Sequence, residues 1–208
     1  MNLNWKEEEF WNAVSHGVGI ILGIVGLYFL LKYNNGNSEF STLSILFYGF
    51  SIILLYAAST IYHAVVHVSW KTLFRKIDHI SIYFLIAGTY TPVALITLEQ
   101  GNGWLIFWIV WGVAAIGTIL KIYLTGRFEV LSLLLYLIMG WLIIFDWDNL
   151  LFHTFQKGIN LLILGGIFYT VGIIFYAIKK IPFNHFIWHL FVLGGSISHF
   201  MFIFLDVI

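Results

Sequence analysis

Along this chain, long apolar runs of about 18 to 28 residues alternate with short polar clusters, and inside each run the hydrophobic positions are continuous. That length is what an α-helix needs to cross a hydrocarbon layer roughly 30 Å thick. Continuity points to helices and away from a barrel, whose strands alternate apolar and polar positions. Seven spans follow, at Ala13–Leu31, Thr42–Val66, Ile77–Leu98, Gly103–Leu124, Val130–Phe145, Ile159–Ile178 and Phe183–Ile208. No stretch remains for a second domain, and there is no internal repeat or low-complexity segment. Residues 1–208 are thus expected to form one all-α seven-transmembrane helix bundle, a multi-pass protein of the cell membrane.

The basic residues set an orientation. With the spans alternating, Lys6, Lys71, Arg75, Lys76, Lys121, Arg127, Lys179 and Lys180 collect on one side, and only Lys32 and Lys157 on the other. The positive-inside rule then places the N-terminus in the cytoplasm and the C-terminus outside. The opening residues lack the basic region and small-residue cleavage site of a secretory signal, so the first apolar segment is expected to be retained. Gly17, Gly19, Gly23 and Gly26 in the first span, with Gly165–Gly166 and Gly194–Gly195 later, allow helices to approach closely, within the bundle or in a homo-oligomer. Pro92, deep in the third span, should bend that helix and loosen its hydrogen bonding.

Composition narrows the classes. The chain is 61% hydrophobic and 10% charged, which no soluble core would accommodate, and its net charge of zero gives no basic face for nucleic acid. It contains no cysteine, so disulfides, thiolate metal sites and a cysteine nucleophile are excluded. Histidine and carboxylate are the strong ligands left.

Depth follows from the helix rise of about 1.5 Å per residue. His63 lies at the inner end of the second span, Asp78 at the inner start of the third, and His185 and His189 at the inner start of the seventh. Ionisable groups within a membrane are costly and face the bundle interior, paired with each other or with a ligand. His185 and His189 stand at i and i+4, the helical chelating spacing of HExxH zinc sites, although that motif's glutamate is absent. A third imidazole from His63 would give three protein ligands and an open position, the pattern of a catalytic zinc. The alternative is a set of buried histidines that only hydrogen-bond between helices.

Ser59, one turn from His63, is placed to hydrogen-bond a water or a substrate carbonyl, or else to bond back to its own helix. Asp78 is a candidate general base or outer partner of the metal, and a candidate N-cap of the third span. His16 is read as an outer partner of the site or an interhelical bond. His67 and His79 are expected at the headgroup boundary, solvated, His153 in a solvated outer loop, and His199 in an interhelical hydrogen bond.

The seven spans, Ser59-x3-His63, Lys76-Ile-Asp78-His79, the run Ala87-Gly-Thr-Tyr-Thr-Pro92, and His185-x3-His189 followed by Leu-Phe-Val and His199 carry a resemblance. Together they resemble the hemolysin III family, the bacterial branch of the progestin and adipoQ receptor superfamily, from about Glu8, Glu9 and Asn12 through His199. The resemblance implies a seven-helix bundle with a lipid-accessible inner cavity and relatives that include ceramidase-type lipid amidases. It also implies that His63, His185 and His189 hold Zn2+, with Asp78 linked to it through water and Ser59 alongside.

Three functions compete at this stage. The first is a zinc-dependent hydrolase of a lipid amide or ester at the inner leaflet, with a membrane lipid as substrate. The second is a non-enzymatic membrane regulator that responds to metal or lipid occupancy. The third is the lytic activity behind the family's name, which would need a polar stripe crossing the whole bilayer.

Overall fold

The computed structural model describes residues 3–126 and 128–208, with side chains from Lys6 onward; Arg127, one of the basic residues that set the orientation, lies outside them. The helices are α1 (Leu3–Lys32), α2 (Ser41–Ala64), α3 (Val68–Pro92), α4 (Gly103–Leu124), α5 (Glu129–Gly140), α6 (Trp147–His153), α7 (Gln156–Ala177) and α8 (Asn184–Phe202). Seven helical stretches, with α5 and α6 joined into one, are long and apolar enough to cross a membrane, and no strand occurs among the described residues. The chain is a multi-pass membrane protein, helical throughout its spans because backbone groups in hydrocarbon must pair within their own segment.

The helices form a ring in chain order. α1 packs on α2, α2 on α3, α3 on α4 and α4 on α5; α7 pairs with α8, and α8 returns to α1. The ring closes loosely where α5 meets α7. α2 and α3 are the most enclosed, with 56% of their apolar windows buried against 22–39% for the other five spans. Small residues permit this closeness. A Cβ at Gly19 would strike the Tyr56 ring and one at Gly23 would strike Ile52, so both glycines of the first span's GxxxG serve α1–α2 packing.

Three spans differ from the expectation, the first being α1, which starts at Leu3 instead of Ala13 and so carries Glu8, Glu9 and Asn12 on helical turns. α3 starts at Val68 instead of Ile77, which puts Lys71, Arg75 and Lys76 on helical turns and not in a loop. Their long side chains find partners there: Lys71 Nζ donates to Glu9 Oε2 and Tyr62 O, and Lys76 Nζ to Ile122 O. The fifth span, expected as one run to Phe145, is broken after Gly140; a 3-10 turn at Leu142–Asp146 leads into α6. Tyr90 of α3 splices the break, since its hydroxyl donates to Gly140 O at 2.9 Å and accepts from Ile143 N at 3.0 Å. Pro92 leaves α3 continuous but is followed by a π-helical turn at Val93–Thr97, where Leu98 N reaches back to Val93 O.

Candidate metal centre

His63 lies in the last turn of α2, and His185 and His189 lie in the first two turns of α8. Their i, i+4 spacing stacks the two α8 rings on one face, with centroids 4.7 Å apart. His63 completes the triangle at 5.0 Å from His185 and 4.9 Å from His189. One nitrogen from each lies within 4.8 Å of the others, so this group could hold a metal ion. His63 and His189 are buried and His185 is half-buried.

The outer hydrogen bonds decide which nitrogens are free. His189 Nδ1 lies 3.2 Å from the Asn12 carbonyl, which can only accept, so Nδ1 carries the proton and Nε2 keeps its lone pair. His63 Nδ1 lies 3.2 Å from Glu9 Oε2, which likewise places the proton on Nδ1. Its Nε2, and that of His185, are buried without any hydrogen-bond partner. Orphaned buried acceptors are costly, and three convergent imidazoles with free nitrogens are a donor set that fits zinc. The Asn12 amide nitrogen sits 3.5 Å from the already protonated His63 Nδ1 while its Oδ1 has no partner, so the amide belongs in the opposite orientation.

All these outer groups come from α1. Glu9 pairs with both His63 and Lys71, the latter at 2.5 Å. Ser15 Oγ donates to Asn12 O and lies 3.3 Å from His189 Nδ1. Glu8 Oε1 accepts from the His185 backbone N–H at 3.0 Å, a carboxylate set at the positive end of α8. His16 stacks face to face on His189, and both of its ring nitrogens are unpartnered. The roles of Glu8, Glu9, Asn12 and Ser15 escaped the sequence reading. Their signal was there: positions 8/9, 12 and 15/16 form one polar helical stripe on an otherwise apolar span.

Asp78 and Ser59 stand beside this group. Asp78 is buried in the middle of α3, well past its first turn, so it is not an N-cap; the helix begins at Val68 because the basic residues ahead of it are helical too. Its carboxyl faces His63 and the Ser59 hydroxyl. Ser59 Oγ is buried, does not bond back to its own helix and falls short of a well-formed hydrogen bond to any partner. Asp78, Ser59, His16, His185 and His189 share the wall of a largely apolar cavity that extends along α3, α5, α7 and α8 towards His199.

The other histidines divide. His67 and His153 are exposed. His199 Nε2 meets the Leu162 carbonyl of α7 at 3.2 Å, an interhelical bond. His79 overturns the expectation of a solvated residue: it is 8% exposed and lines the cavity, because α3 carries it inward from the boundary.

Residues 4–200 match the family model described as haemolysin-III related. The chain belongs to that family. It is 46% identical to the hemolysin-3 homolog of Bacillus subtilis over 93% of this chain and 92% of that one. It is equally similar to hemolysin-3 of Bacillus cereus, covering 89% of it. The human monocyte to macrophage differentiation factor is 31% identical over 93% of this chain and 82% of its own. No solved structure matches. In this haemolysin-III family member His63, His185 and His189 come together, and α1 contributes further polar groups around them.

Proposed function

We propose that this protein is a zinc-dependent intramembrane hydrolase that cleaves an amide or ester bond of a membrane lipid at the inner leaflet, with its N-terminus in the cytoplasm. One observation carries the reading. Three imidazoles with free nitrogens converge beside a buried carboxylate and an unpartnered hydroxyl, at one end of an apolar cavity. Zinc in such a ligand set supplies a water nucleophile at neutral pH and polarises a carbonyl.

The chain's own groups have separable tasks. His63, His185 and His189 would hold the ion, with α1 fixing the proton of two of them on the far nitrogen. Asp78 would act as the general base that accepts a proton and returns it to the leaving group. Ser59, whose hydroxyl lacks a well-formed hydrogen bond, would donate to an oxyanion. The apolar wall formed by residues such as Leu55, Ile82, Leu85 and Val192 excludes water and suits an acyl chain.

The test is metal analysis of purified protein together with fatty-acid release from a panel of lipids. Zinc near one equivalent, turnover of at least one lipid class and its loss in His185→Ala are expected. Protein that contains zinc but releases nothing, with His185→Ala behaving like wild type, would end the enzymatic reading in favour of a regulator. The name of the Bacillus cereus relative suggests lysis instead, yet most ionisable groups of the described bundle interior, Asp146 and His199 apart, gather at one end. Bilayer conductance that survives loss of the three histidines would reverse that judgement.

A further inference from the structure

At the same end of the cavity, three helices and the turn after α7 bring together charges that the hydrolytic site does not use. His79 of α3 lines the cavity and is 8% exposed, yet its Nδ1 makes no hydrogen bond. It lies 3.8 Å from Glu129 Oε2. Around it lie Lys121 of α4, Glu129 of α5, Arg75 of α3 and Lys179 after α7. Among the described residues, three fixed cations thus surround His79, with Glu129 as the carboxylate beside it.

That carboxylate is already committed. Glu129 Oε2 accepts from Lys121 Nζ at 2.8 Å, which accounts for a lysine that is 2% exposed. Glu129 Oε1 accepts from Gly126 N at 3.2 Å and meets Arg75 Nη2 only at 3.7 Å. Among the described residues no carboxylate pairs with Lys179; its ammonium lies 4.4 Å from the centre of the Tyr176 ring, which itself lines the cavity. Partial burial, assisted by Arg75, holds the Lys179 ammonium below its ordinary range despite the opposing pull of Glu8 and Glu129. Arg75, which meets Glu129 only at 3.7 Å, and Lys179, which pairs with no carboxylate among the described residues, are thus the cations with capacity left for an anion.

We propose that Arg75, Lys179 and His79 form a binding site for the phosphate of an anionic lipid headgroup, whose acyl chain occupies the adjoining apolar cavity. Guanidinium and ammonium donors suit phosphate oxygens, the first in bidentate fashion. His79 supplies a donor from the cavity side. Lys121 and Glu129 neutralise each other and hold the floor. This site requires no turnover, so it stands or falls separately from the hydrolase reading.

The experiment places the full chain in nanodiscs of equal phosphatidylglycerol and phosphatidylcholine and counts co-purifying lipid by native mass spectrometry, with zinc content measured in parallel. Wild type is expected to retain phosphatidylglycerol by roughly tenfold or more, the effect of two cations acting on an anionic headgroup. Arg75→Ala/Lys179→Ala should bring the ratio near parity with zinc content unchanged, which also shows that the variant has folded. Lys76→Ala/Lys180→Ala removes the same charge from neighbouring positions and should keep the preference. Equal loss in both pairs would reduce the effect to general surface charge and overturn the site, as would a wild type without preference. Displacement by inorganic phosphate at the lipid's own concentration would overturn lipid as the source of the anion.

Discussion

The imidazole of His16 lies flat against that of His189, with centroids 3.6 Å apart and planes 11° from parallel. Both nitrogens of His16 are unpartnered, and its edge meets Tyr56 at 5.0 Å. Its ring thus supports a metal-binding candidate from behind without joining the triangle of nitrogens.

If that support is steric, His16→Phe should keep metal content near wild type, whereas His16→Ala removes the backing of His189 and should weaken metal binding about 10–100-fold. Chelator competition on the purified variants measures both. Loss of metal in His16→Phe as complete as in His63→Ala would make His16 a ligand.

Glu9 divides its carboxylate between His63 Nδ1 at 3.2 Å and Lys71 Nζ at 2.5 Å. Glu9→Gln keeps the size but weakens the acceptor that orients His63, and a drop in metal affinity of about 10–100-fold is expected. If Lys71 reaches His63 through their shared Glu9, Lys71→Met should add little on top of Glu9→Gln. Additive effects of the two substitutions would show that Lys71 influences the site by another route.

Asp78→Asn preserves shape and hydrogen-bonding capacity at a buried position beside the three histidines. A general base lost in this way should lower turnover by about 10²–10⁴-fold while zinc content stays. Loss of zinc instead would assign Asp78 to holding the metal.

The packing of α1 offers a paired test, because Gly19 faces the Tyr56 ring whereas Gly17 faces open space. Gly17→Ala should change stability by less than about 0.5 kcal/mol. Gly19→Ala must displace Tyr56 and is expected to cost about 1–3 kcal/mol. Since Tyr56 packs on His16, it should also perturb metal affinity. Thermal unfolding in detergent, followed for both variants, separates the two.

The apolar runs made the seven spans legible, because hydrocarbon imposes length and continuity on any helix that crosses it. What they could not show was where a helix continues beyond that layer. Lys71, Arg75 and Lys76 read as a loop because they are charged, yet their partners Glu9 and Ile122 lie on other helices, far away in sequence. The break after Gly140 was equally hidden, since the surrounding residues are apolar and the hydroxyl that stabilises it belongs to Tyr90. The histidine pair of α8 was visible from its spacing alone. The α1 stripe of Glu9, Asn12 and His16 gains meaning only once that helix is seen lying between α2 and α8.

Metal and fold should be coupled, because the site joins His63 of α2 to His185 and His189 of α8. An ion that binds the folded bundle and not the unfolded chain stabilises it by about 2.7 kcal/mol when free metal stands at 100 times its dissociation constant. Chelation of wild type should therefore lower its melting temperature. The His63→Ala/His185→Ala/His189→Ala variant should melt at the same temperature with or without chelator. Chelator sensitivity that persists in the triple variant would locate the stabilising ion elsewhere in the bundle, and with it the chemistry assigned to these three imidazoles.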